Sequence, residues 1–311
     1  MAQFTKYTSA DVGAPVVSGG VGSLITLLDK CLVTGYGAKS AAGWTKPYTG
    51  TNTAVFKAGA GTGFYYRFDD GGPGAAGAKE ARLRGYETMS SVDVGTGPFP
   101  TSGQMATGVF IRKSFTADST IRDWKVWADS RTAYVFISTG DSAGTYLAFA
   151  IGDFYSYVTN DLYNAMVIAR NTENTGTAST DKLDVWNTGF TGAGYYAARA
   201  YLGNPQGVNF CLAPDFVLIG TGSLGNCPYP NPADSSIRLA RKDVCENSPQ
   251  NCLRGFLRGL WQWGHTAITS VNDGDTFTGT DLLASRTFEI VKTSGNSTLY
   301  VIETSNTLDT N

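Results

Sequence analysis

Val109-Phe110-Ile111-Arg112, Trp124-Lys125-Val126-Trp127-Ala128, Ala133-Tyr134-Val135-Phe136-Ile137-Ser138, Tyr146 to Ile151 and Tyr163 to Arg170 are the segments whose reading decides the fold. Each is short, apolar, aromatic and β-branched, and turn material separates them: Ala128-Asp129-Ser130-Arg131, then Gly140-Asp141-Ser142-Ala143-Gly144. Such runs bounded by Gly, Asp and Ser read as strands joined by tight turns. Both parities are apolar, with Val135 and Ile137 on one side and Tyr134 and Phe136 on the other. Successive side chains of a strand point to opposite faces, so this sheet must be covered twice. An antiparallel meander over 109–170, packed inside a β-sandwich, is the expected arrangement. Trp124 and Trp127 have opposite parity and are expected on different faces.

Outward from that centre, Val21, Leu24, Ile25, Leu28, Cys31 and Leu32 recur at three- and four-residue spacing and predict one amphipathic helix. Ser18 or a following glycine can open it, and Gly35 is placed for a left-handed stop. Val55-Phe56-Lys57 and Phe64 to Phe68 flank a glycine-rich turn and predict a hairpin. In Ala81 to Glu87 arginines alternate with apolar or small residues, which predicts a strand with one wet face. Residues 171–180 are polar and featureless. They divide a helix-plus-sheet region (1–170) from a loop-rich β region (171–311) that can pack onto it as one unit. In the second region Phe216 to Ile219 reads as a strand, the stretch from Cys227 to Cys245 as a long loop, and Thr287 to Val291 with Leu299 to Thr304 as a closing hairpin. The fold class is therefore mainly β, with one N-terminal helix and long Gly/Thr-rich loops.

Composition narrows the function. The 311 residues are 42% hydrophobic and only 16% charged, with 38 glycines and a formal net charge of -2. A binder held to nucleic acid by a basic field is disfavoured. No segment approaches the ~20 apolar residues of a membrane span, and Met1 to Lys6 carries no apolar signal-peptide region, so synthesis in the cytoplasm is expected. The single histidine, His265, rules out most histidine-based metal and acid–base sites. Beside Trp261 and Trp263 it reads as a packing residue.

The motifs that could carry chemistry are weak. Gly35-x-Gly37-x-Lys39-Ser40 lacks the glycine directly before the lysine that a phosphate loop requires, and it follows a helix. Asp69-Asp70, Asp153 and Asp273-Gly274-Asp275 lie near turns, where Asp and Gly serve the backbone. A glycosidase would need two of these carboxyls about 5–9.5 Å apart across a cleft. Cys227, Cys245, Cys252 and His265 lack the close cysteine pair that anchors a zinc site. No catalytic residue, metal or cofactor is expected. Cys31 lies on the helix stripe and is expected buried and unpaired. Cys245 and Cys252, with six residues between them in a loop-like stretch, are the candidate disulfide.

Three blocks of the chain together resemble a group of tailed-bacteriophage virion structural proteins. They are Ser18 to Gly37 continuing to Gly43-Trp44-Thr45-Lys46-Pro47, then Trp124 to Tyr134, then Arg258-Gly259-Leu260-Trp261 with Asp273 to Phe277 and Arg286 to Ile290. The chain departs from the group at Arg258, where a proline is expected. The resemblance implies a non-enzymatic, multicopy virion component whose partners are other virion proteins and copies of itself. Tail, neck or baseplate is the first expectation for its position, and head decoration the second. A receptor- or carbohydrate-binding module, with a host glycan as partner, is the alternative. Sparse charge also suits a surface covered by neighbours. The aromatic residues Trp44, Tyr48, Phe99, Trp186, Phe190, Tyr195, Tyr196, Trp261 and Trp263 are the candidates for that interface.

Overall fold

The computed structural model describes residues 3–140, 146–173, 193–213, 230, 233, 235–247, 251–265, 271–294 and 298–305. Its strands in the first half are β1 (Thr5–Thr8), β2 (Thr45–Gly50), β3 (Thr53–Lys57), β4 (Tyr65–Asp69), β5 (Glu80–Met89), β6 (Gly95–Phe99), β7 (Val109–Arg112), β8 (Trp124–Ala128), β9 (Thr132–Ser138), β10 (Tyr146–Asp153), β11 (Tyr155–Ser156) and β12 (Ala165–Arg170). There follow β13 (Ala193–Arg199), β14 (Gln206–Ala213), β15 (Leu239–Glu246), β16 (Cys252–Trp263), β17 (Thr276–Thr278), β18 (Thr287–Ser294) and β19 (Thr298–Glu303). Among the described residues one α-helix, α1 (Ser23–Leu28), lies near the N-terminus. The described ladders are antiparallel throughout.

At the centre, β8 pairs with β9, β9 with β10 and β10 with β12, with Trp124 opposite Ile137 and Phe149 opposite Val135. The meander does not extend back to β7. That strand pairs with β5 (Leu83 opposite Val109) and meets β12 only at Arg170–Phe110. The eleven residues between β7 and β8 are long enough to take the chain away from its sequence neighbour.

The central sheet is covered on both faces, as its apolar parities require. On one face Val126, Val135, Ile137, Phe149, Ile151 and Val167 pack with Leu24, Leu27 and Leu28 of α1 and with Phe56, Tyr66 and Phe68. On the other, Trp127, Tyr134, Phe136, Ala148, Ala150 and Ile168 meet Leu257, Leu260, Val291, Tyr300 and Ile302 of the C-terminal strands. Trp124 belongs to the first core and Trp127 to the second. Each buried indole removes roughly 150–250 Å2 from water, on the order of 4–6 kcal/mol at about 25 cal/mol per Å2. A third cluster, with Trp261, Trp263, Phe288 and Val301, lies beyond the C-terminal strands. The hairpins expected from Val55 to Phe68 and from Thr287 to Thr304 are both present.

The helix is shorter than its stripe. It opens at Gly22 (φ 77°), leaving Val21 exposed, and after Leu28 it widens into a π-type turn over Asp29–Thr34. Gly35 ends it at φ 74° but ψ 174°, an extended exit and not a left-handed cap. No side chain of its own caps it; the Asp70 carboxylate accepts the Leu24 N–H at 2.8 Å. Asp70 is fully buried and ion-paired with the fully buried Lys113, whose ammonium also donates to Gly20 O (2.5 Å) and Ser23 Oγ (3.2 Å). The expected wet face of β5 is also not found at Arg82. That guanidinium is buried, pairs with Glu80 and Glu173, and stacks on Phe110. Among the described residues no helix is long and apolar enough to cross a membrane.

Candidate functional site

The 61–64 turn between β3 and β4 folds down onto the end of β10. Gly61, at φ +71°, is required there: a Cβ would lie 1.8 Å from Asp153 Oδ2. This approach lets Thr62 donate its N–H to Asp153 Oδ2 (2.8 Å) and its hydroxyl to Oδ1 (2.7 Å). Opposite the turn, the chain leaves Asp153 through Phe154 into β11, which pairs with β16 (Tyr155 opposite Phe256), and returns along 158–164 to β12. Between them lies a cleft of about 600 Å3, lined by Thr62, Phe64, Glu87, Thr88, Arg131, Asp153, Tyr155, Tyr163 and Asn164 among others. That volume falls within the range of small-molecule sites.

The charges around the cleft are matched in pairs. Glu87 is gripped by two nitrogens of Arg199 (2.5 and 2.8 Å), and Asp161 by two nitrogens of Arg254 (both 2.9 Å). Arg254 also reaches Glu246 at 3.0 Å and the carbonyl of Arg199 at 2.6 Å, and lies over the Phe154 ring. Arg258 holds Asp129 (3.1 and 2.8 Å) and donates to Thr132 Oγ1, whose hydroxyl donates to the Asp153 carbonyl. A proline at 258 could form none of these bonds. Asp153 differs from the other carboxylates because hydrogen bonds from Thr62, and no two-pronged arginine, hold it. Burial pushes its pKa up to about 6, opposed by Thr62, Arg258 and Arg131. Acid–base hydrolysis by a carboxyl pair needs a second carboxyl able to act as base or nucleophile. Glu87 and Asp161, clamped by arginines, are poorly placed for that role.

Beside the cleft the Arg254 hub supports an exposed apolar rim. Leu162 follows Asp161, Leu253 precedes Arg254, and Tyr157 donates its N–H to the Arg254 carbonyl at 2.8 Å. Leu202 follows Tyr201, whose N–H donates to Glu246 Oε2 at 3.1 Å. Leu162, Leu202 and Leu253 are 68%, 67% and 54% exposed, and Tyr157 is exposed as well. The nearly fully buried Arg254 thus bonds the carboxylate beside Leu162 and, through Glu246, the segment that carries Leu202, while its own carbonyl holds Tyr157.

The aromatic residues proposed from sequence as an interface mostly lie elsewhere. Trp44, Phe99, Tyr195, Tyr196, Trp261 and Trp263 are buried in this chain's own cores, with Trp44 Nε1 donating to Asp129 O at 2.7 Å. Their apolar bulk serves the fold, so the interface reading is withdrawn for these six. Tyr48 is half-buried and donates to Met89 O at 3.0 Å. Trp186 and Phe190 lie outside the described residues, as do Cys227 and the strand expected at Phe216 to Ile219. His265 packs on Trp263 and accepts the Arg238 N–H at 2.7 Å.

The disulfide expectation is also corrected. Cys245 and Cys252 are both free and both in strands, not in a loop. Cys245 stands opposite Leu253, and Cys252 opposite Glu246. One register step turns a side chain to the other face, so the two thiols diverge. Cys245 instead faces Cys211 of β14 directly. Its thiol hydrogen bond pulls Cys211 down to about 7 and pushes Cys245 well up. Cys31 is buried and free, as expected.

Asp153 and Arg131 stood out in sequence only as turn residues. Thr62, Glu87, Tyr155, Tyr163 and Asn164 gave no signal, because five separate segments assemble the cleft. No family model matches the chain, and no curated protein matches it significantly.

Proposed function

We propose that this protein is a non-enzymatic, multicopy structural component of a tailed-phage virion, made in the host cytoplasm and built into the tail, neck or baseplate. The observation that carries the reading is the set of exposed apolar side chains Tyr157, Leu162, Leu202 and Leu253, carried on segments linked to the buried Arg254 network. An exposed patch on an ordered frame suits contact with neighbouring subunits. The likeness of its N-terminal, central and C-terminal blocks to phage virion proteins supports the same reading. So does the pairing of the cleft carboxylates Glu87 and Asp161 with arginines, which favours a framework over acid–base catalysis. Mass spectrometry and electron cryomicroscopy of purified particles test it. The chain is expected in stoichiometric, repeated positions with the rim against a neighbour. Its absence from particles would refute the assignment, and density on the head surface would select the decoration role.

A further inference from the structure

We propose that the cleft between the 61–64 turn and the 155–164 segment binds a neutral sugar ring, with hydroxyls donated to the Asp153 carboxylate and a C–H face laid on an aromatic side chain. This inference does not depend on the virion reading.

Three observations carry it. The cleft is preformed: Gly61, Thr62 and Asp153 interlock on one side, and Tyr155 stacks on Phe256 (4.6 Å, 26°) on the other. Its lining mixes half-buried rings (Phe64, Tyr155, Tyr163) with short polar groups (Thr62, Thr88, Asn164), the combination that suits a ligand with one apolar face and a polar edge. Finally, Asp153 is a buried carboxylate whose two oxygens each take one hydrogen bond from Thr62. A carboxylate can accept about four, so two adjacent hydroxyl groups could be received without breaking either contact.

The charge pattern selects a neutral ligand. Glu87, Asp161 and Asp129 face Arg199, Arg254 and Arg258, and Asp153 is offset by Arg131. A phosphate or carboxylate ligand would meet cations already engaged by carboxylates, and no residue of a described helix lines the cleft.

The test is saturation-transfer NMR on the full chain with glucose, galactose, mannose, rhamnose and N-acetylglucosamine, each alone and at the end of a disaccharide, and with glucuronate as the charged comparison. At least one neutral sugar is expected to bind saturably with Kd at or below about 10 mM. Preference for the disaccharide would indicate a polysaccharide as the source, and preference for the monosaccharide a free sugar. Thr88→Trp fills the cleft from an exposed wall position, and Asp153→Asn removes the charge; each is expected to weaken binding at least about tenfold. Thr88→Trp leaves the core untouched, so it remains informative if Asp153→Asn folds poorly. Absence of binding by every neutral sugar, binding by glucuronate alone, or unchanged affinity in Thr88→Trp would overturn the proposal. Any of these could occur while the chain is still found in particles.

Discussion

Replacing Lys113 by methionine should be among the most damaging single changes outside the hydrophobic cores. Lys113 and Asp70 are both fully buried, and the ammonium directs its three hydrogens at Asp70, Gly20 O and Ser23 Oγ. Methionine matches the stem in length but leaves the Asp70 carboxylate with only the N–H groups of the helix start, Leu24 among them. Removing one partner of a buried pair costs about 3–5 kcal/mol, because the other charge stays desolvated. Asp70→Asn should cost about 3 kcal/mol by stranding the lysine. The double variant carries no buried charge and keeps an oxygen for the Leu24 N–H, so it should lose only about 1–2 kcal/mol. Urea unfolding followed by tryptophan fluorescence reads all three, and the coupling follows from the double-mutant cycle. A loss below about 1 kcal/mol for Lys113→Met, or simple additivity in the double variant, would show that the pair does not anchor the helix.

Three further outcomes follow from the cleft and the cysteines. Asp153 ionises near 3.8 unfolded and about 6 folded, so the native state holds the extra proton between those values. Its contribution should therefore lower stability as pH rises from about 4 to 6, by about 3 kcal/mol; urea titrations of wild type and Asp153→Asn should diverge over that window, and parallel curves would contradict the assigned shift. Gly61→Ala combines a positive φ with the close approach to Asp153 Oδ2. It should cost about 1–3 kcal/mol and speed hydrogen exchange at the Thr62 amide, whereas an unchanged amide would refute the interlock. Iodoacetamide at about pH 7.5 should label Cys211 before Cys245, with Cys31 last, as peptide mapping can show; the reverse order would contradict the thiol hydrogen bond.

Much of the architecture was legible because periodicity reports directly on burial. Trp124 and Trp127, three residues apart on one strand, had to face different cores, and they do. The pairing of β8 with β9 was equally open, because a short polar turn leaves two apolar runs few alternatives. The C-terminal strands were harder to read. In β15, Arg241-Lys242-Asp243 has the composition of a solvated loop, yet Lys242 is buried. Arg254 and Arg258 are likewise almost wholly enclosed. Charge is expected outside unless a partner is supplied, and the partners Asp161 and Asp129 lie about ninety and one hundred and thirty residues away. The cleft was hidden for the same reason. Of its walls, Asp153 and Arg131 had drawn notice only as turn residues, and the relation of Asp153 to Gly61 and Thr62 depends on a contact across ninety-one residues.

The placing of Trp124 and Trp127 on opposite sides of one strand has a consequence for fidelity of assembly. In a sheet with one wet face, a slip of one residue exchanges core for solvent, and the error is registered once. In β8 a slip of one residue would carry Trp127 into the space of Val126 or Ala128 in the first core, and turn Trp124 out of that core towards the opposite face. Both hydrophobic interiors would be mispacked by a single shift, and neither could relax without disturbing the other. The central strand therefore works as a two-sided key, its alignment checked by two interiors at once.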